Sequence, residues 1–248
     1  MRGYAILGLI GILITAMYFL LEPSSTSMLV FSNVTVVLLA LVALTMALRN
    51  VRHYGISGKL PSAFLYFSVA SLLWFLGEFT WCAYALLLGN VFPYPSIADV
   101  FWLAGYPFML AGIIAYLLIF RLAIDKVKLG IGILVSALFS LAILLIFVIP
   151  ITEISLDPLV LIIDLAYPFL DVITIFALVT AIITFIGGKI ERVWYLLTLS
   201  VIMTAIADIL FSYTTAIGAY YDGHPLELLY DYDYLLFSLA MYEHRRIL

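Results

Sequence analysis

Residues 28–59 read MLVFSNVTVVLLALVALTMALRNVRHYGISGK, a run of 21 residues without a charge (28–48) followed by Arg49, Arg52, His53 and Lys59. About 20 apolar residues is the length a helix needs to cross a hydrocarbon core, where only a helix or a closed barrel satisfies the backbone without water. A basic cluster directly after such a run marks the cytoplasmic side. The unit recurs in both directions, at about 4–21, 62–88, 99–122, 129–149, 158–186, 193–217 and 228–243. The runs are continuous rather than alternating, which argues against a β-barrel. The sequence therefore predicts an all-α fold, a polytopic membrane bundle of eight transmembrane helices formed by 1–248 as a single integral membrane domain. Only 10% of the 248 residues are charged, far below the roughly 25% of a soluble domain.

The signs of the charges are segregated. Arg2, then Arg49, Arg52 and Lys59, then Arg121, Lys126 and Lys128, then Lys189 and Arg192, then Arg245 and Arg246 fall at every second boundary between runs. The intervening boundaries hold Glu22, no charge between Val91 and Ala98, then Glu153 and Asp157, then Asp222 and Glu227. This alternation predicts a cell-membrane protein with both termini in the cytoplasm. The lipid bilayer is the expected surrounding. Nucleic acid is excluded as a partner, because the basic residues are few and scattered among loops. The lone Cys82 excludes an internal disulfide and a multi-cysteine metal site.

Seven carboxylates fall inside the predicted helices, between the mid-plane and the outer face: Glu78, Asp99, Asp164, Asp171, Asp208, Asp231 and Asp233. No Lys or Arg shares their depth, and an ionisable group in a bilayer is costly enough to mark a functional position. Protonation, a bound cation, a water-filled cavity or hydroxyl partners would each relieve that cost. Helical spacing groups them with aromatics. Asp164, Tyr167 and Asp171 share a face, as do Asp99, Trp102 and Tyr106, and Glu78 shares one with Trp74, Trp81 and Cys82. Asp231 lies beside Tyr234, while Asp233 is expected to point elsewhere. The predicted ligand-binding set is thus Glu78, Trp81, Asp99, Trp102, Tyr106, Asp164, Tyr167, Asp171, Asp208, Asp231 and Tyr234. Glu78, Asp171 and Asp208 are the candidate ligands of a divalent cation.

Local signals add detail. Ser96 and Asp99 have the spacing of a helix capping box. Tyr106-Pro107-Phe108 and Tyr167-Pro168-Phe169 place a proline inside two helices, each beside acids. Glu78 precedes Gly89 by 11 residues and Asp208 precedes Gly218 by 10, consistent with a weak parallel four-plus-four repeat.

Pro95-Ser96-Ile97-Ala98-Asp99 with Tyr106-Pro107 resembles the signature of the integral membrane sensory domain found N-terminal to bacterial GGDEF and EAL signalling proteins. Ala166-Tyr167-Pro168-Phe169-Leu170-Asp171, Ala207-Asp208, Gly218 and Tyr220 to Gly223 continue the resemblance, over roughly 70–243. It implies a membrane-embedded sensor. The chain closes at Arg245-Arg246-Ile247-Leu248 without an output domain, so a stand-alone form would act through a cytoplasmic signalling partner. Gly77-Glu78, with Asp208 and Lys59, is also similar to the eight-span lysoplasmalogenase family, and implies Glu78 and Asp208 as a catalytic acid–base pair of a lipid hydrolase.

Three classes follow. The first is a sensor that binds a small molecule or lipid in an outward-facing acidic and aromatic pocket. The second is an intramembrane lipid hydrolase using Glu78 and Asp208. The third is a cation- or proton-coupled carrier. The inner half of each helix is nearly free of polar groups, which counts against the carrier.

Overall fold

The computed structural model describes residues 2–88, 94–120, 126–143, 145 and 157–247. Among them are eight α-helices and no strand: α1 Arg2–Leu20, α2 Thr26–Tyr54, α3 Lys59–Leu87, α4 Ile97–Ile119, α5 Lys126–Ile143, α6 Pro158–Phe185, α7 Glu191–Ala216 and α8 Leu228–Ile247. A 3₁₀ turn, Pro225–Glu227, leads into α8. Each helix matches one predicted run. The predicted ends at 122 and 149, together with Arg121 and Glu153, lie outside the described residues.

Two boundaries need correction. The uncharged run of α2 stops at Leu48, yet the helix continues to Tyr54 and carries Arg49 and Arg52; α3 likewise starts at Lys59. A helix does not stop where the hydrocarbon does when tertiary contacts hold its next turn. Asn50 donates from Nδ2 to the Met241 carbonyl at 2.9 Å, and the Tyr54 hydroxyl lies 2.9 Å from Nδ1 of His244. The Tyr116 hydroxyl lies 2.7 Å from the other ring nitrogen of His244, so α2, α4 and α8 are tied together at the basic ends of the helices.

Among the described residues, six helices are long and apolar enough to cross a membrane: α1, α2, α3, α4, α6 and α7. Among the same residues α5 adds a shorter apolar stretch, Leu129–Leu138. In α8, Asp231, Asp233, Glu243, Arg245 and Arg246 interrupt the run.

The burial pattern is that of a protein whose solvent is apolar. The outward faces of α1 and α5 are Ile and Leu, with Ile12 at 67% and Leu134 at 60% exposure. Carboxylates, serines and threonines are buried instead. Small residues let the helices approach closely: Ala40, Ala43 and Ala47 line one face of α2 and are sealed from solvent, as are Ala63 and Ala70 of α3.

The contacts close on themselves. α2 packs on α3, α3 on α4, α4 on α6, α6 on α7, α7 on α8, and α8 on α2. These six form a ring, with α1 applied to α8 and α5 applied to α6 from outside. The ring packs densely around Phe64, Phe67, Tyr116 and Trp194 at one end. It opens into a cavity toward the other.

Candidate functional site

The seam between α3 and α4 is built on glycines that act as seats for tryptophans. A Cβ at Gly77 would lie 2.5 Å from the Trp102 ring, and a Cβ at Gly105 would lie 2.3 Å from the Trp74 ring. Each indole therefore lies close against the opposite backbone. The Trp74 indole N–H donates to the Trp102 carbonyl at 3.1 Å, and that of Trp102 donates to Oε1 of Glu78 at 3.2 Å. The Tyr234 hydroxyl, arriving from α8, donates to the same Glu78 oxygen at 2.7 Å.

A second acid group joins α4, α6 and α7. The Tyr106 hydroxyl is 2.7 Å from Oδ1 of Asp171 and 3.0 Å from Oδ2 of Asp208. One hydroxyl proton cannot serve two acceptors at once, so both contacts are satisfied when one acid carries a proton and donates to the phenol oxygen. Tyr230 completes Asp208, donating to Oδ1 at 2.7 Å. Asp99 does two jobs. Its Oδ2 accepts from the Ser96 backbone N–H at 2.7 Å, while the Ser96 hydroxyl accepts from the Ala98 N–H, closing the capping box. Its Oδ1 accepts from the Tyr167 hydroxyl at 2.9 Å.

The third group comes from the segment between α7 and α8. The Trp81 indole donates to Oδ1 of Asp222 at 3.2 Å. Glu227 accepts from the Tyr220 hydroxyl at 2.9 Å, the Gly223 N–H at 2.7 Å and the Tyr18 hydroxyl at 3.2 Å. Gly223 sits at φ +84, in the left-handed region that glycine enters without strain. Burial pushes the Asp222 carboxyl up to about 6, against the Trp81 hydrogen bond. Burial, reinforced by the neighbouring Asp222 charge, pushes Glu227 up to about 7. Burial lowers His224, the one histidine near this group.

These groups surround a cavity of about 90 Å³, room for several waters or one small organic molecule. All six helices of the ring contribute to its wall. Asn33 and Val36 come from α2, Trp74, Glu78 and Trp81 from α3, and Asp99, Trp102 and Tyr106 from α4. Tyr167 comes from α6, Thr204, Asp208, Phe211 and Ser212 from α7, and Tyr230, Asp233 and Tyr234 from α8, with Tyr220, Asp222 and Glu227 from the connecting segment. Every contributing position lies toward the helix ends remote from the basic residues.

Of the predicted ligand-binding set, the cavity thus gathers Glu78, Trp81, Asp99, Trp102, Tyr106, Tyr167, Asp208 and Tyr234. Three lie behind its wall. Asp171 is sealed beneath Tyr106, Asp164 accepts from the Tyr94 hydroxyl, and Asp231 is buried at 1% exposure with neither oxygen hydrogen-bonded among the described residues. The expectations for Asp231 and Asp233 are reversed. α8 presents Tyr230, Asp233 and Tyr234 to the cavity, one helical face at i, i+3, i+4, and this leaves Asp231 off that face. Asp233 accepts from the Ser200 hydroxyl.

Among the described residues no group of three or more His, Cys, Asp or Glu is placed to hold a metal ion. Glu78 is engaged by Trp102 and Tyr234, whereas Asp171 and Asp208 share Tyr106. Sequence reasoning missed Asn33, Asp222 and Glu227 as wall residues. Asn33 sits within the uncharged run of α2, and the two acids lie in the connection before α8. The tyrosines beside Asp222 and Gly223 were the available signal. No family model matches the chain, nor does any curated protein or solved structure.

Proposed function

We propose that this chain is a membrane-embedded sensory module. It binds a ligand in its acidic, aromatic cavity and passes its state to a cytoplasmic partner. In this reading α5 and α8 are spans as well. The bundle then has eight, the cavity opens to the outer side, and both termini are cytoplasmic. The alternation of basic residues supports that orientation. The cyclic order of the ring supports a four-plus-four repeat, because α2, α3 and α4 are followed around it by α6, α7 and α8.

The observation that carries the reading is the wall itself. One occupant would touch all six ring helices at once. At the other end α2, α4 and α8 meet at His244. A ligand that binds two packings of the ring unequally shifts the balance between them, and the shift reaches the basic ends through rigid helices. The acids are held by tyrosine, tryptophan and serine donors rather than by Lys or Arg. A wall of this kind is preorganised and polar, yet keeps acceptor capacity for an occupant.

Native mass spectrometry of the gently purified protein tests this reading. A stoichiometric small molecule, lost in Glu78→Gln and Asp208→Asn variants that remain folded, is the expected result. Turnover of a lysophospholipid abolished by the same substitutions would replace the sensor with a hydrolase.

A further inference from the structure

We propose that the cavity selects a small primary ammonium ion carrying a short apolar tail. The proposal rests on the reading of the cavity as a ligand site. Its starting point is the polarity of what the wall leaves unmet. Asn33 is 3% exposed and Asp222 is 5% exposed, and both line the cavity. Neither Oδ1 of Asn33 nor Oδ2 of Asp222 accepts a well-formed hydrogen bond among the described residues, although the Asn33 amide stands beside the Asp222 carboxyl. The orientation of Asn33 is fixed chemically, since its Nδ2 donates to the Leu29 carbonyl at 3.0 Å. Both unmet atoms are therefore acceptors. A buried acceptor without a donor costs about 1–3 kcal/mol, so the complementary occupant is one that donates N–H bonds.

Charge narrows the class further. No Lys, Arg or His is found among the wall residues, while Glu78, Asp208, Asp222 and Asp233 are. An anion, a phosphate ester included, would meet only carboxyls there. Aromatic faces are the natural surface for an organic cation, and Trp74, Trp81 and Trp102 supply three indoles. A bare divalent ion would need several carboxylates converging within about 2.3–2.6 Å of one point, and these acids are spread around the wall on separate donors. The size of the cavity, about 90 Å³, limits the tail to a few carbons.

n-Butylammonium, n-butanol and butyrate have nearly the same shape and differ in charge, so they isolate the claim. Each is titrated into the full-length protein in detergent at neutral pH and matched ionic strength, reading tryptophan emission. A Trp194→Phe background removes the one indole that lies outside the wall. The expected result is a saturable change with n-butylammonium at least about tenfold tighter than with n-butanol, and none with butyrate. Asp222→Asn, which keeps an oxygen for the Trp81 indole, weakens the ammonium about tenfold and leaves n-butanol unchanged. Asn33→Leu gives a second loss from α2, on the same face as Asp222. Equal binding of n-butanol or butyrate overturns the ammonium class while leaving a ligand site standing. Ammonium binding indifferent to both substitutions also overturns it. Silence with all three probes overturns it too, and silence together with an empty cavity in native mass spectrometry removes the sensory reading as well.

Discussion

Asp231 and Asp233 sit two residues apart on α8 and meet opposite environments. Asp233 faces the cavity and takes the Ser200 hydroxyl, whereas Asp231 is buried at 1% exposure with both oxygens unpartnered among the described residues. The Tyr18 hydroxyl stands within reach of Asp231 but directs its formed hydrogen bond to Glu227. Removing an unsatisfied polar group in favour of an apolar one of similar size relieves about 1–3 kcal/mol. Asp231→Val should therefore raise the thermal unfolding midpoint in detergent. Asp233→Val should lower it, because Ser200 is then left as an unmet buried group. If both variants shift the midpoint in the same direction, the environments assigned to these two acids are wrong.

At the scale of elements, the α3–α4 seam makes a sharper demand. Gly77→Ala would drive a methyl into Trp102, and Gly105→Ala one into Trp74. Overpacking of this kind costs about 1–3 kcal/mol. Gly77→Ala also displaces the Trp102 indole that donates to Glu78. Gly130, whose Cβ would meet nothing within 4 Å, is the control. Both seam variants should lose stability and shift tryptophan emission, while Gly130→Ala does neither. The connecting segment before α8 predicts a pH response. Burial pushes the Asp222 and Glu227 carboxyls up to about 6 and about 7, above the roughly 3.9 and 4.3 of the unfolded chain. The folded state thus holds its protons more tightly, so this contribution is complete at low pH and is lost as pH rises through about 6 to 7. Melting midpoints should fall between pH 5 and pH 8, and Asp222→Asn with Glu227→Gln should flatten that fall.

These elements also show what a one-dimensional reading can reach. The helices were legible because length and hydropathy fix a membrane span locally, and the capping box was legible because Ser96 and Asp99 lie three residues apart. The partners of the acids were not. Tyr234 reaches Glu78 across 156 positions and Tyr106 reaches Asp208 across 102, so same-helix spacing could name the tyrosines but not their carboxylates. The rotation of α8 about its axis was equally hidden. It exchanges the expected roles of Asp231 and Asp233.

For the whole molecule, the proposed orientation turns on one physical asymmetry. The cavity lies at the helix ends that carry Asp222 and Glu227, and the basic residues lie at the opposite ends. Lys189, between α6 and α7, and Ala219, between α7 and α8, are both exposed and mark the two ends. With the native thiol removed by Cys82→Ser, single cysteines at these positions report sidedness directly. Transfer of Lys and Arg across an energised membrane is disfavoured, so Lys189→Cys should resist a membrane-impermeant maleimide in intact cells and react only after lysis. Ala219→Cys should react in both. The reverse pattern would turn the cavity toward the cytoplasm, and its occupant would then have to be a cytosolic amine. Labelling of both in intact cells would mean that α7 does not cross, which would break the ring's alternation at the helix that supplies Asp208.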